Sequence, residues 1–172
     1  MTTKLSELTG EYVLEAERTR IGFVARHRMG TRVRGRFAGF EGVVRLDGDD
    51  PSASSAGLTI RADTVDTGNE RRDFQLRKDF LVTPEDPCLT FVSTKVEQTG
   101  PTTFDVTGDL TIRGVTRPIT VPFELIQADG DVTFKATQTI NRTHWQVNWN
   151  AVTTVMVGPD VILDLQLTAS RR

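Results

Sequence analysis

Gly108-Asp109-Leu110-Thr111-Ile112-Arg113-Gly114-Val115-Thr116-Arg117-Pro118, running on into Ile119-Thr120-Val121-Pro122-Phe123, alternates apolar and polar side chains on either side of a glycine. Leu110 and Ile112 point one way, Asp109, Thr111 and Arg113 the other. Beyond Gly114, Ile119, Val121 and Phe123 resume the apolar face, and Thr120, Pro122 and Glu124 take the wet one. A period of two is the signature of a strand with one buried and one solvated face, so this stretch predicts a β-hairpin.

The same alternation extends outward over most of the chain. Glu11 to Leu14 and Arg20 to His27 open it, with Ile21, Phe23, Ala25 and His27 on one parity. A turn at Met29-Gly30 leads to a return strand in which Val33, Gly35 and Phe37 oppose Arg32, Arg34 and Arg36. After Ala38-Gly39 the apolar parity shifts to Phe40, Gly42, Val44 and Leu46, which predicts a bulge or sharp bend of the kind that curls a sheet toward closure. Leu58, Ile60 and Ala62, then Leu89, Phe91 and Ser93, continue the series. Phe104 and Val106 lead into the hairpin, Asp129-Gly130 marks another turn, and Val132, Phe134, Ala136, Gln138 and Ile140 follow. Trp145, Val147 and Trp149 predict a further strand, and Val161, Leu163, Leu165 and Leu167 the last. Only Thr67 to Lys78 breaks the pattern. A capping Asn69 and an Asp73–Arg77 pair at i,i+4 spacing predict one short helix around residues 69–78, with Phe74, Leu76, Phe80 and Leu81 as its apolar face. About eight main strands with one helical interruption suit an all-β antiparallel barrel, as one domain over residues 1–172.

Composition narrows the function. Hydrophobic residues make up 37% and charged residues 26% of the 172, so neither a disordered tail nor an integral membrane protein is expected. Nine Phe against one Tyr bring aromatic area without polar tips, as an interior requires. A net charge of −2 offers no global attraction for nucleic acid, so none is expected as a partner. The N-terminus holds no apolar run of signal-peptide length, and the lone Cys88 suits a reducing compartment. Both predict a cytoplasmic location.

Catalytic chemistry finds little footing. The two histidines, His27 and His144, fall on different predicted strands and Cys88 stands alone, so no metal site or cofactor is expected. No G-x-S-x-G elbow occurs, and Asp63, Asp66 and Asp73 beside Arg71 and Arg72 read as loop-fixing ion pairs and caps. Arg20, Arg26, Arg28, Arg32, Arg34 and Arg36 share the outward parity of the first hairpin. They read as a solvated exterior, the sharper alternative being an anion-facing surface for a lipid headgroup or nucleic acid. An eight-stranded barrel is of the size that side chains either fill or leave open to one small ligand, and periodicity alone leaves both alternatives open.

The chain resembles the YceI-like family, the lipocalin-like polyisoprenoid-binding proteins. The resemblance is carried by Gly10 to Glu15 with Ile21 to His27, by Arg34-Gly35-Arg36-Phe37 with Phe40-Glu41-Gly42, and most specifically by Val65-Asp66-Thr67-Gly68-Asn69-Glu70-Arg71-Arg72-Asp73-Phe74-Gln75-Leu76. Asp79-Phe80-Leu81, Pro87, Thr90-Phe91-Val92-Ser93 and the opening hairpin add to it. Family members often carry a His-Ser pair where Arg18-Thr19 stands here, so no role of that histidine transfers.

The resemblance implies an eight-stranded lipocalin-like barrel whose cavity takes a long isoprenoid chain, such as a quinone or polyprenyl lipid, often in a homodimer and without an assigned enzymatic reaction. The candidate ligand-binding residues are then Phe23, His27, Val33, Phe37, Phe40, Leu58, Ile60, Phe91, Ser93, Leu110, Ile112, Phe123 and Phe134 on the strands, with Phe74, Leu76 and Phe80 on the helical segment as a lid. His27, Ser93, Asn141 or His144 are candidates to hold a polar head. The rival readings are an interaction module with a filled core that uses the arginines, and an enzyme acting on a lipid-like substrate.

Overall fold

The computed structural model describes residues 5–27, 32–77, 88–147 and 157–172, with the His27, Val157 and Gly158 side chains outside that description. Eleven strands join in one antiparallel sheet: β1 (Gly10–Leu14), β2 (Arg20–His27), β3 (Arg32–Phe37), β4 (Phe40–Leu46), β5 (Ser55–Arg61), β6 (Val65–Asp66), β7 (Cys88–Gln98), β8 (Thr103–Ile112), β9 (Val115–Asp129), β10 (Asp131–Asn141) and β11 (Val157–Arg171).

Three interruptions reduce these eleven to eight staves. β1 and β2 are one course broken by a 3-10 turn at Ala16–Arg18, and β3 and β4 one course broken at Ala38-Gly39. β5 and β6 are likewise one course, because β4 pairs with β5 while β3 pairs with β6. The ring runs β1-β4-β5-β7-β8-β9-β10-β11 and closes where Tyr12, Val13 and Leu14 meet Arg171, Ser170 and Ala169. The long β11 spans the closure, pairing with β1 near its C-terminus and with β2 over Val161–Gln166. The protein is thus a closed eight-stranded antiparallel barrel, as the alternation predicts.

The parity shift at Ala38-Gly39 is the expected bend. Ala38 N–H donates to the Thr64 carbonyl, Gly39 N–H to Thr64 Oγ1 at 2.9 Å, and Arg61 N–H to the Gly39 carbonyl at 2.9 Å. Adjacent courses are therefore broken at the same level and tied to each other across the break. Register shifts between Ser93 and Lys95, and between Thr133 and Phe134, add further curvature. The opening hairpin turns in two residues, with Arg113 at φ 54° and Gly114 at φ 76°, the left-handed pair whose twist matches the flanking strands.

The ends differ. Connections after β2, β6, β8 and β10 lie at one end, together with α1 (Glu70–Gln75); those after β4, β7 and β9 lie at the other, with both chain termini. At the terminal end the 3-10 turn Leu5–Leu8 packs with Tyr12, Val132 and Ala169 in a small apolar cluster. Tyr12 is fully buried, its hydroxyl donating to the Leu8 carbonyl at 2.8 Å, and burial pushes the phenol pKa up. The Arg171 guanidinium lies 5.3 Å from the Tyr12 ring centre and donates to the Thr9 carbonyl, holding the turn against the barrel.

Two sequence expectations are corrected. Arg142–Trp145 is a 3-10 turn, not the start of a strand. Asn141 caps it by accepting from Thr143 N–H at 3.0 Å, and Gln146 takes a left-handed conformation that turns the chain back. The alternation of Trp145 and Val147 thus reflects two residues buried by a turn. On α1, Phe74 faces solvent at 58% exposure, while Asp73 and, at the C-cap, Leu76 are buried. With Asn69 fixed as N-cap, Asp73 is drawn inward to Thr67 and does not pair with Arg77. Met29-Gly30, Phe80, Leu81 and Trp149 lie outside the described residues.

Candidate functional site

The barrel holds an internal cavity of about 260 Å³ that runs from Leu5, Leu8, Leu46 and Pro51 at the terminal end to Leu76, Ile112, Arg142 and Val147 at the α1 end. A single water occupies about 10–15 Å³ on the same measure, so this void is ligand-sized. Its walls come from every stave. Of the candidates, Phe23, Phe37, Leu58, Ile60, Leu76, Phe91, Leu110, Ile112, Phe123 and Phe134 line it. Val33 and Phe40 are half-buried without lining it, although Phe40 packs on the core around it, and Phe74 faces solvent. The His27 side chain and Phe80 lie outside the described residues.

Two rings explain how the six phenylalanines on the lining leave a lumen open. Phe23 lies across Gly35, its cross-strand partner, and Phe91 lies over Gly108. At both glycines a Cβ would overlap the ring, so the missing side chain lets each ring lie flat on the wall instead of projecting to the axis. Phe134 packs edge-on against Phe104 and Phe123, at 6.4 Å between centroids in each case, so these rings cover the wall together. Gly35→Ala meets only the far edge of the Phe23 ring, so the barrel should fold while the ring swings inward. Affinity for added polyprenol should fall roughly tenfold, the loss of one or two buried methylenes' worth of space.

Of the candidate head-holding groups, Ser93 and Asn141 are engaged in the scaffold. Ser93 Oγ accepts from Ala56 N–H at 2.8 Å beside the β7 bulge. Asn141 Oδ1 caps the following turn, and His144 is exposed with its ring 6.2 Å from that of Trp145. Polar residues on the lining are confined to its ends: Asp47, Ser54 and Ser55 at the terminal end and Arg142 at the other.

Arg142 was not singled out by sequence reasoning, because an arginine next to a polar turn reads as surface. It is 4% exposed and donates to the Val147 carbonyl at 2.7 Å, fastening the 3-10 turn across the barrel end. Burial lowers its pKa from the usual arginine value, and it stays charged near neutrality. Trp145 packs beside it, 2% exposed, with Nε1–H donating to the Leu110 carbonyl at 2.8 Å. On the other side of the same end, the buried Asp73 carboxylate accepts from Thr67 N–H at 2.9 Å and from its hydroxyl. Arg72 grips Thr67 as well, donating from Nε to Oγ1 and from a terminal nitrogen to the carbonyl. Asp73→Ala should therefore free α1 and cost about 2–3 kcal/mol, since hydrogen bonds to a charged group are lost and the Thr67 donors are left behind. Urea unfolding would read this as a lower midpoint with an unchanged slope.

Among the described residues no three His, Cys, Asp or Glu side chains gather as a metal site, and no helix is long and apolar enough to cross a membrane. The site is a greasy tube with a fastened end.

The sequence model of the YceI-like domain matches residues 12–169. The chain belongs to the YceI-like family. A UPF0312 protein of Pseudomonas aeruginosa is 38% identical over 118 residues, which is 68% of this chain and 61% of that protein's own length. Among solved structures, Burkholderia cenocepacia BcnA superposes with a TM-score of 0.85 at 27% identity, covering 91% of this chain and 99% of BcnA. A polyisoprenoid binding domain from Saccharophagus degradans, implicated in plant cell wall breakdown, superposes with a TM-score of 0.77 at 18% identity over 94% of this chain and 98% of that domain, a likeness of fold. The resemblance read from residues 65–76 and the hairpin at 108–118 is thus a family relationship, and this YceI-like barrel shares its architecture with proteins of both kinds.

Proposed function

We propose that this protein binds and carries, or sequesters, a long-chain amphiphilic isoprenoid such as a quinone or polyprenyl lipid, without catalysing a reaction on it. The observation that carries this reading is the continuous apolar cavity of about 260 Å³ along the barrel. A filled-core interaction module would have no such space. The polyisoprenoid binding domain among the structural neighbours supports the ligand class.

The mechanism is burial. Each methylene moved from water to the lumen contributes about 0.8 kcal/mol, offset in part by the ordering of the chain. An apolar wall offers few hydrogen bonds to read, so selectivity comes from the length and width of the tube, with Ser54, Ser55 or Asp47 near a head at the terminal end.

Extraction of the purified protein with organic solvent, followed by mass analysis, tests the reading. The expected result is an isoprenoid at near-stoichiometric amount, or uptake of added ubiquinone or polyprenol by emptied protein. Protein that yields no lipid and takes up neither would overturn it.

A further inference from the structure

The outer wall at the α1 end of the barrel carries charges that the fold does not use. Arg26 and Arg32 are direct cross-strand partners on β2 and β3, and both are exposed. Like charges placed opposite each other destabilise an antiparallel pair. Arg34, two residues along β3, points the same way and faces Val24. Of the neighbouring carboxylates, Asp164 pairs with Arg20 at 3.0 Å and Asp66 with Arg36 at 4.0 Å, and the exposed Asp160 on β11 makes no ion pair among the described residues. Among the described residues, Arg26, Arg32 and Arg34 have no acidic partner. Such a cluster is maintained against its own repulsion, which an anionic surface would relieve.

Around them the described charges are mixed, the exposed Asp63, Glu70, Asp109 and Asp160 standing among a larger number of arginines. Arg71 and the exposed Phe74 stand on α1, which leaves β6 toward the same end, and Arg117 is exposed near the start of β9. The terminal end instead presents Glu7, Glu11, Asp49, Asp50 and Asp129, all exposed. A chain with a net charge of only −2 is therefore electrically lopsided along the barrel axis.

We infer that the α1 end docks on an anionic lipid bilayer, with Arg26, Arg32 and Arg34 against the headgroup phosphates. A bilayer fits better than nucleic acid. Phe23 and Phe37 on these strands face the lumen and Phe74 is a single exposed ring on α1, so the β2–β3 arginine face offers no run of aromatics on which successive bases stack. An extended phosphate backbone would also meet the acidic end, whereas a flat bilayer meets one end alone. This docking is separate from occupancy of the lumen, and the two are measured independently.

The test is sedimentation with vesicles of phosphatidylcholine alone or mixed with phosphatidylglycerol. The protein should bind only the mixed vesicles and be released as salt rises, a readout that needs no variant. Each arginine near an anionic surface changes affinity roughly fivefold, so R26Q/R32Q/R34Q should bind about a hundred-fold more weakly. R45Q, an exposed change toward the acidic end, should bind as the parent does. Circular dichroism and lipid extraction on the same samples show that fold and lumen are intact. Absence of binding, equal binding to phosphatidylcholine alone, or an unchanged triple variant would overturn the inference. So would displacement from the vesicles by a single-stranded oligonucleotide at phosphate concentrations below that of the lipid, which would mark a nucleic-acid surface.

Discussion

Leu110→Trp empties the lumen and leaves the barrel standing: that is the expected result with the largest effect. Leu110 sits on β8 between Phe91 and Arg117, lines the cavity, and is 7% exposed. Overpacking a filled core costs about 1–3 kcal/mol. Here an indole has a void of about 260 Å³ to enter, so the cost to folding should lie at or below the low end of that range. The ligand loses the same space. Excluding about five methylenes removes about 4 kcal/mol of burial, which lowers affinity roughly a thousand-fold. Lipid recovered by extraction should drop to background while the thermal midpoint moves little. Full loading of a folded Leu110→Trp protein would place the ligand somewhere other than this channel.

Trp145→Ala should have the largest effect on stability. The indole is buried at the end of the tube and ties the turn after β10 to the backbone of β8 through Leu110. Truncation leaves a cavity and removes the indole hydrogen bond to Leu110, and large-to-small changes of this size cost about 3–5 kcal/mol. For a chain of this length each kcal/mol moves the melting temperature by about 2–4 °C, so a fall of roughly 10 °C is expected in calorimetry. Trp145→Phe keeps most of the bulk and loses the hydrogen bond, and should cost only about 1–2 kcal/mol. Equal losses for the two variants would show that packing contributes little at this end.

Much of this was legible in the chain. Alternation at Leu110, Ile112, Val121 and Phe123 identifies the strands and their inward sides, and all four residues line the cavity. The parity shift at Ala38-Gly39 located a real bend, and Asn69 a real cap. The failures share a cause. Phe74 looks apolar in a helix and Asp73 looks like a surface charge, yet the demand of Thr67 for an acceptor reverses them. Trp145 and Val147 keep strand-like spacing while lying in a turn, because burial by a neighbouring element leaves the same local pattern as burial by a sheet. Arg142 is hidden from any pattern, since its role depends on a carbonyl in a turn that forms around it.

Which side of each stave is dry is a local matter: successive side chains point opposite ways, so period two records it wherever the chain is extended. From that record and the residues at 65–76 come the strands, the helix and the kinship of the chain. Whether the tube is hollow is not local. It depends on Phe23 meeting Gly35 and Phe91 meeting Gly108 from adjacent strands, and on β11 closing against β1. Packing between distant segments decided these features, because the space left inside a closed wall is the sum of contacts that no single stretch of chain contains.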